Sequence, residues 1–201
     1  MIINVLKIVN EMVVLYLKFK RCFVGLFLII SLSPMAYSMP DMSKALSDAE
    51  FLTTKSKDFK LEVFKGKIIL IFFGYTHCPD ICPATLLDIS KSMKELGKDA
   101  EKIQPIFISV DYKRDTPEHL ATYVKFFDKR IIGITSDKKN IDKISQYFRT
   151  KYALLDAASE NYIVEHSSNI YILDQSLQVR RIIANGLPSS EITRAVKKLL
   201  P

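Results

Sequence analysis

Residues Ile68 to Phe73 read IILIFF, an unbroken apolar run that passes directly into Gly74-Tyr75-Thr76-His77-Cys78-Pro79-Asp80-Ile81-Cys82-Pro83. A strand with one wet face alternates apolar and polar residues. A continuous run rich in Ile and Phe predicts a strand buried on both faces. Such a strand needs cover on both sides, which restricts the chain to a layered α/β architecture. Leu86, Ile89, Met93 and Leu96 recur at helical spacing after Pro83, so a helix follows at once. Ile106 to Val110 (IFISV) predicts a second buried strand. Thr116-Pro117-Glu118 is a helix start: a hydroxyl cap, proline in the first turn, then an acid near the positive end of the dipole. Leu120, Val124 and Phe127 form its apolar stripe. Ile131 to Ile134 predicts a short strand, and Ile141, Ile144, Tyr147 and Phe148 another helix. Ile170 to Leu173 and Val179 to Ile183 predict two strands around a turn at Asp174 to Ser176. Ile192, Val196 and Leu199 close the chain with a helix. This order predicts a central mixed sheet with helices on both faces. Residues 150–165 carry the least regular pattern and are expected to be an insertion.

The first 38 residues obey a different logic. Lys18, Lys20 and Arg21 precede Cys22 to Leu32 (CFVGLFLIISL), which holds no charge, and Ala36-Tyr37-Ser38 follows. Basic, apolar and small-x-small segments in that order make a secretory signal peptide. The run is shorter than the ~20 residues of a membrane span, but more apolar sequence lies upstream. Residues 1–38 are therefore expected to be a signal peptide or an uncut N-terminal membrane anchor. Both put residues 39–201 outside the inner membrane, because the basic side stays in the cytoplasm. The chain of 201 residues carries 29 Lys and Arg against 22 Asp and Glu, a net charge of +7. Lys7, Lys18, Lys20 and Arg21 against Glu11 account for much of that excess. No nucleic-acid motif accompanies the remaining lysines, so nucleic acid is not an expected partner.

Cys78 and Cys82 are the chemistry-bearing residues of the exported part, since Cys22 belongs to the leader. Four residues apart at a helix start, the cysteines are expected on one helix face, one turn from each other. The positive helix start favours thiolate. Thiolates at this place attack disulfides or bind soft metals. A structural disulfide closing so small a loop would add little stability. Thioredoxin-type redox centres use two intervening residues, and this chain has three. They also place a cis-proline before a later strand, facing the cysteines. Between Pro117 and Pro188 this sequence has no proline, and His166 stands before the strand from Ile170. In a thioredoxin-like fold His166 would face the two sulfurs. Two thiolates and one imidazole suit copper.

GYTHCPDICP, SVDYKRDTPEHL and NYIVEHSSNIYILD together resemble the SCO/SenC family of copper-binding proteins, over roughly residues 50–200. The resemblance implies a thioredoxin-like fold, exported or membrane-tethered, in the periplasm or the equivalent intermembrane space. It implies a copper chaperone holding Cu(I) or Cu(II) through Cys78, Cys82 and His166. It further implies a role in assembling the binuclear copper centre of cytochrome c oxidase subunit II, with another copper protein as a possible donor. The family's alternative activity is thiol–disulfide exchange, reducing the cysteines of that centre, in which Cys78 and Cys82 would be catalytic. The expectation is a chaperone and not an enzyme. The family's Gly-Gly-x-Phe start is absent from Glu50 to Val63, and Tyr112 replaces the proline often found after the aspartate.

Among the other residues, Asp111 ends a buried strand at the sheet edge where the ligands of open α/β sheets gather. It is a candidate to support a metal ligand or to dock a partner. Asp115 is expected to be a loop or cap residue. His77 and His119 are expected to have solvent, packing or structural roles. A peroxidase of the same fold would need a threonine three residues before a cysteine; Tyr75 and Pro79 stand there instead.

Overall fold

The structure is a computed structural model, and it describes residues 11–12, 14–17, 49–54, 59–159 and 161–201. The chain divides into two compact units, Met1–Ser38 and Met39–Pro201. Most of the expected leader lies outside the described residues. Among the described residues no helix is long and apolar enough to cross a membrane.

The second unit runs β1 (Ile68–Gly74), α1 (Ile81–Glu95), β2 (Ile103–Ser109), α2 (Pro117–Phe127), β3 (Ile132–Ile134), α3 (Lys138–Phe148), β4 (Tyr152–Leu155), β5 (Ile163–His166), β6 (Ile170–Leu173), β7 (Val179–Ile183) and α4 (Ser189–Lys197). The main sheet has the order β3-β2-β1-β6-β7. The strands β1, β2 and β3 are parallel, and β6 and β7 are antiparallel. This is the mixed sheet the sequence predicts.

The unbroken apolar runs occupy the centre. Every residue of β1 and β2 is buried. Alternate side chains of β1 feed two cores. Phe72 stacks against Phe107 of β2, which meets Tyr123 of α2. Phe73 points the other way, to Phe148 of α3 and Tyr171 of β6. Each such ring contributes roughly 1.5–3 kcal/mol through burial alone. On the Phe72 side α1 is tied to α2 by Ser90 Oγ donating to the Phe127 carbonyl at 2.9 Å. It is tied to α4 by Thr193 Oγ1 donating to Glu95 Oε2 at 2.6 Å.

The caps follow the sequence. Thr116 Oγ1 accepts from His119 N at 3.2 Å, with Pro117 opening α2. Asp137 accepts from Asn140 N at 2.8 Å to start α3. Before β1, Phe51 and Phe59 form an isolated antiparallel bridge, and residues 61–64 form a single 3-10 turn.

One expectation is corrected. Residues 150–165 lie outside the main sheet, as an insertion does, but they are regular: they build most of a separate β-hairpin, β4 paired antiparallel to β5 with Tyr152 opposite His166. Its burial alternates, exposed at Leu155 and Ile163 and buried at Val164. The apolar residues at the exposed positions break the period-2 pattern by which a half-buried strand is recognised.

Candidate metal centre

The site begins where β1 runs out. Gly74, its last residue, leaves no room for a side chain: a Cβ there would lie 2.7 Å from the Phe107 ring and 2.8 Å from Cys82 Sγ. The glycine lets the sulfur of α1 settle onto the end of the strand.

The cysteines do not share a helix face. Cys82 lies in the first turn of α1 and is fully buried, whereas Cys78 precedes the helix and is half-buried. The reason is Pro79, whose ring disfavours helical backbone at the residue before it. Pro83 sits in the first helical turn, where no N–H is missed. The displaced Cys78 gains a role: its Sγ accepts from Cys82 N at 3.4 Å. It occupies an unpaired donor of the helix start, while Asp80, the residue in the cap position, makes no side-chain cap bond.

Both thiols are free. They are electrostatically unequal. The Cys78 thiol is lowered to about 5 by the hydrogen bond from the Cys82 thiol, with help from the backbone N–H groups of Asp80 and Cys82. The Cys82 thiol is pushed far up, because it is the proton donor in that bond and because it is buried. One half-buried thiolate and one fully buried thiol result.

The third member comes from the hairpin. His166, at the end of β5, brings Nε2 to 3.4 Å from Cys82 Sγ. Its Nδ1 lies 3.1 Å from the Ser167 carbonyl oxygen. A carbonyl can only accept, so Nδ1 carries the hydrogen and Nε2 is left open toward the sulfurs. The Tyr75 and Phe72 rings meet the imidazole edge to face, with centroids 5.8 and 6.2 Å away. The ligand atoms of Cys78, Cys82 and His166 all lie within 4.8 Å of one another. A groove of about 790 Å³ opens over them, lined by Tyr75, Cys78, Ile81, Tyr152, Val164 and His166.

Asp111 is not among these atoms. It is fully buried beside them, accepting from Arg114 Nε at 2.6 Å and from the Tyr162 hydroxyl. The Arg114 guanidinium lies 3.5 Å over the Tyr162 ring. Tyr162 directly precedes β5, so Asp111 anchors the strand that ends in His166.

Asp115 is more than a loop or cap residue. It is buried and accepts from Thr76 N at 3.0 Å, Thr76 Oγ1 at 2.6 Å and Ser109 Oγ at 2.5 Å. It thereby pins the turn that carries Cys78. A sequence signal existed: Thr116 already supplies the cap of α2, which leaves the neighbouring acid free for another task.

The profile of the family described as SCO1/SenC matches residues 39–201. The chain belongs to the SCO1/SenC family. An SCO2-like protein of Rickettsia conorii, also similar to this SCO1/SenC chain, is 35% identical over 159 residues, which cover 75% of this chain and 78% of that protein. The copper-bound structure of ScoI from Bradyrhizobium japonicum is 34% identical with a TM-score of 0.69, covering 76% of this chain and 97% of the other. Copper-bound yeast Sco1 is 26% identical with a TM-score of 0.68, covering 78% and 91%. The thioredoxin-like fold expected from the sequence is thus the SCO1/SenC fold.

Proposed function

We propose that this chain is a copper carrier of cytochrome c oxidase assembly, holding the ion between Cys78, Cys82 and His166. The observation that carries this reading is the convergence of two sulfurs and one open imidazole nitrogen on a single point. The donor chemistry fits the cargo: thiolates are soft ligands, and with imidazole they select copper without requiring a fourth protein ligand. Copper-bound relatives of the same fold add support. The groove in front of Cys78 gives an acceptor access to the more exposed sulfur. Acceptor thiolates replace the ligands one at a time, Cys78 first and the buried Cys82 last. The acceptor proposed is the binuclear centre of oxidase subunit II. The carrier is proposed to work outside the inner membrane, with residues 1–38 serving as a signal peptide or as an anchor.

The test is an anaerobic titration of the reduced, detergent-solubilised chain with Cu(I) against a chromophoric chelator. One copper per chain is expected, lost on Cys78→Ser or Cys82→Ser and weakened by about ten- to a hundredfold on His166→Ala. Copper retained equally by the double Cys→Ser variant sinks the proposal. An unchanged affinity and spectrum in His166→Ala removes the histidine from the ligand set.

Thiol–disulfide exchange is the second function the site supports, and the inequality of the two thiols favours it. The Cys78 thiolate would attack an acceptor disulfide and expel one acceptor thiolate. Cys82 would then lose its proton and attack the mixed disulfide at Cys78, releasing the second. Two electrons pass to the acceptor, and the chain is left with a Cys78–Cys82 disulfide. Metal-free turnover on a disulfide substrate is the result that distinguishes this activity from carriage.

A further inference from the structure

The outer edge of the cysteine turn carries a pair of imidazoles. His77 adjoins Cys78, and His119 lies in the first turn of α2. Both are exposed, and their rings stand edge to face with centroids 5.8 Å apart. Neither belongs to the Cys78–Cys82–His166 trio.

The hydrogen bonds behind His77 fix its tautomer. Thr76 Oγ1 donates its one proton to Asp115 Oδ1 at 2.6 Å. The same oxygen lies 3.1 Å from His77 Nδ1. With its proton committed, the hydroxyl can only accept. Nδ1 therefore carries the hydrogen, and Nε2 keeps a free lone pair. Metal-ligating histidines are held in this way, one nitrogen tied to an acceptor and the other turned out. Asp115 Oδ1 stands 3.9 Å from Nδ1, so a buried negative charge lies behind the ring and favours a cation in front of it. His119 supplies a second nitrogen from a ring that, being exposed, changes rotamer within nanoseconds.

Asp111 and Asp115 also fall within 4.8 Å of the His77 ligand atom. Their oxygens are already taken by Arg114, Tyr162, Thr76 and Ser109. An ion among them would have to displace several hydrogen bonds to buried charge, so the ligands are the imidazoles and water. Neutral nitrogen donors with open positions take late divalent ions, and Cu(II) binds most tightly in that series.

We propose that His77 and His119 form a second, outward-facing metal site that binds Cu(II) through two imidazole nitrogens. It does not rest on copper binding by the cysteines, and its test removes them. The full chain in detergent, with Cys78→Ser, Cys82→Ser and His166→Gln combined, is titrated with Cu(II) sulfate near neutral pH and followed by electron paramagnetic resonance. One Cu(II) with hyperfine coupling to two nitrogens is expected. His77→Gln and His119→Gln should each weaken it about tenfold or more, and Thr76→Val, which removes the acceptor at Nδ1, about tenfold. Should circular dichroism show the combined variant to be unfolded, the wild-type chain and each histidine variant are titrated with their thiols blocked by methanethiosulfonate. Absence of bound Cu(II), or binding that is indifferent to either histidine, overturns the proposal.

Discussion

The two walls of the candidate metal centre are built to different standards. The cysteine wall is the end of a fully buried strand, a glycine with no room for a methyl group, and a turn pinned from beneath by Asp115. The histidine wall is a two-stranded hairpin with alternating burial. A lone hairpin is marginal in water and must borrow stability from what it packs on. Here it does so through Val164 and through two phenols, Tyr162 donating to Asp111 and Tyr152 donating to Asp142 at 2.6 Å. The sulfurs are thus placed by the global fold, and the imidazole by a few local bonds.

That contrast can be broken by substitution. The largest effect is expected in the strand: Phe72→Ala should cost about 3–5 kcal/mol of unfolding free energy. Ile163→Ala at the exposed end of the hairpin should stay within about 0.5 kcal/mol. Urea denaturation of both variants gives the comparison, and similar losses would mean that the hairpin is as integral as the sheet. Next comes Tyr162→Phe, which takes a donor from a buried carboxylate and should cost about 1.5–3 kcal/mol. If the hairpin is locally held, amide exchange should accelerate in Ile163 to His166 and not in β1. Uniform acceleration would contradict it. Gly74→Ala should cost about 1–3 kcal/mol by overpacking against Phe107 and Cys82. Its effect should fall on the sulfur side, so the His166 imidazole resonances should shift less than those of Phe107.

The same contrast governs what could be read from the sequence. The sheet was legible because IILIFF and IFISV have one physical explanation, burial on both faces, and because Thr116-Pro117 and the Asp174 turn punctuate the chain. Cys78 and Cys82 were legible as a pair, but their shared helix face was not real: the proline after Cys78 decides its backbone, and that local rule outweighs spacing. The hairpin was missed because Leu155 and Ile163 put apolar side chains on its wet face. Asp115 was missed for another reason. Its partners Thr76 and Ser109 lie on other segments, and such a contact exists only once β1 and β2 are paired.

The remaining predictions concern protons, and they sharpen the comparison within the cysteine wall itself. Cys78 is lowered to about 5 and Cys82 is raised. In metal-free, reduced protein, carboxymethylation of Cys78 should therefore reach half its thiolate-limited rate near pH 5 and level off by pH 7. Cys82 should stay unreactive in the folded state. The two thiols also affect stability with opposite sign. A lowered folded value means that the unfolded chain binds more protons, so the Cys78 contribution is complete above the unfolded value of about 8.5 and is lost as pH falls toward 5. A raised folded value reverses this, so the Cys82 contribution is complete below about 8.5 and is lost as pH rises. The dithiol as a whole should favour folding increasingly from pH 5 to about 8.5 and less above it. Urea midpoints of the wild type minus those of Cys78→Ser, taken across that range, isolate the rising limb. A difference that stays flat with pH would mean that the buried Cys82 proton does not hold Cys78 as a thiolate, and that the two sulfurs are closer to equivalent than their burial implies.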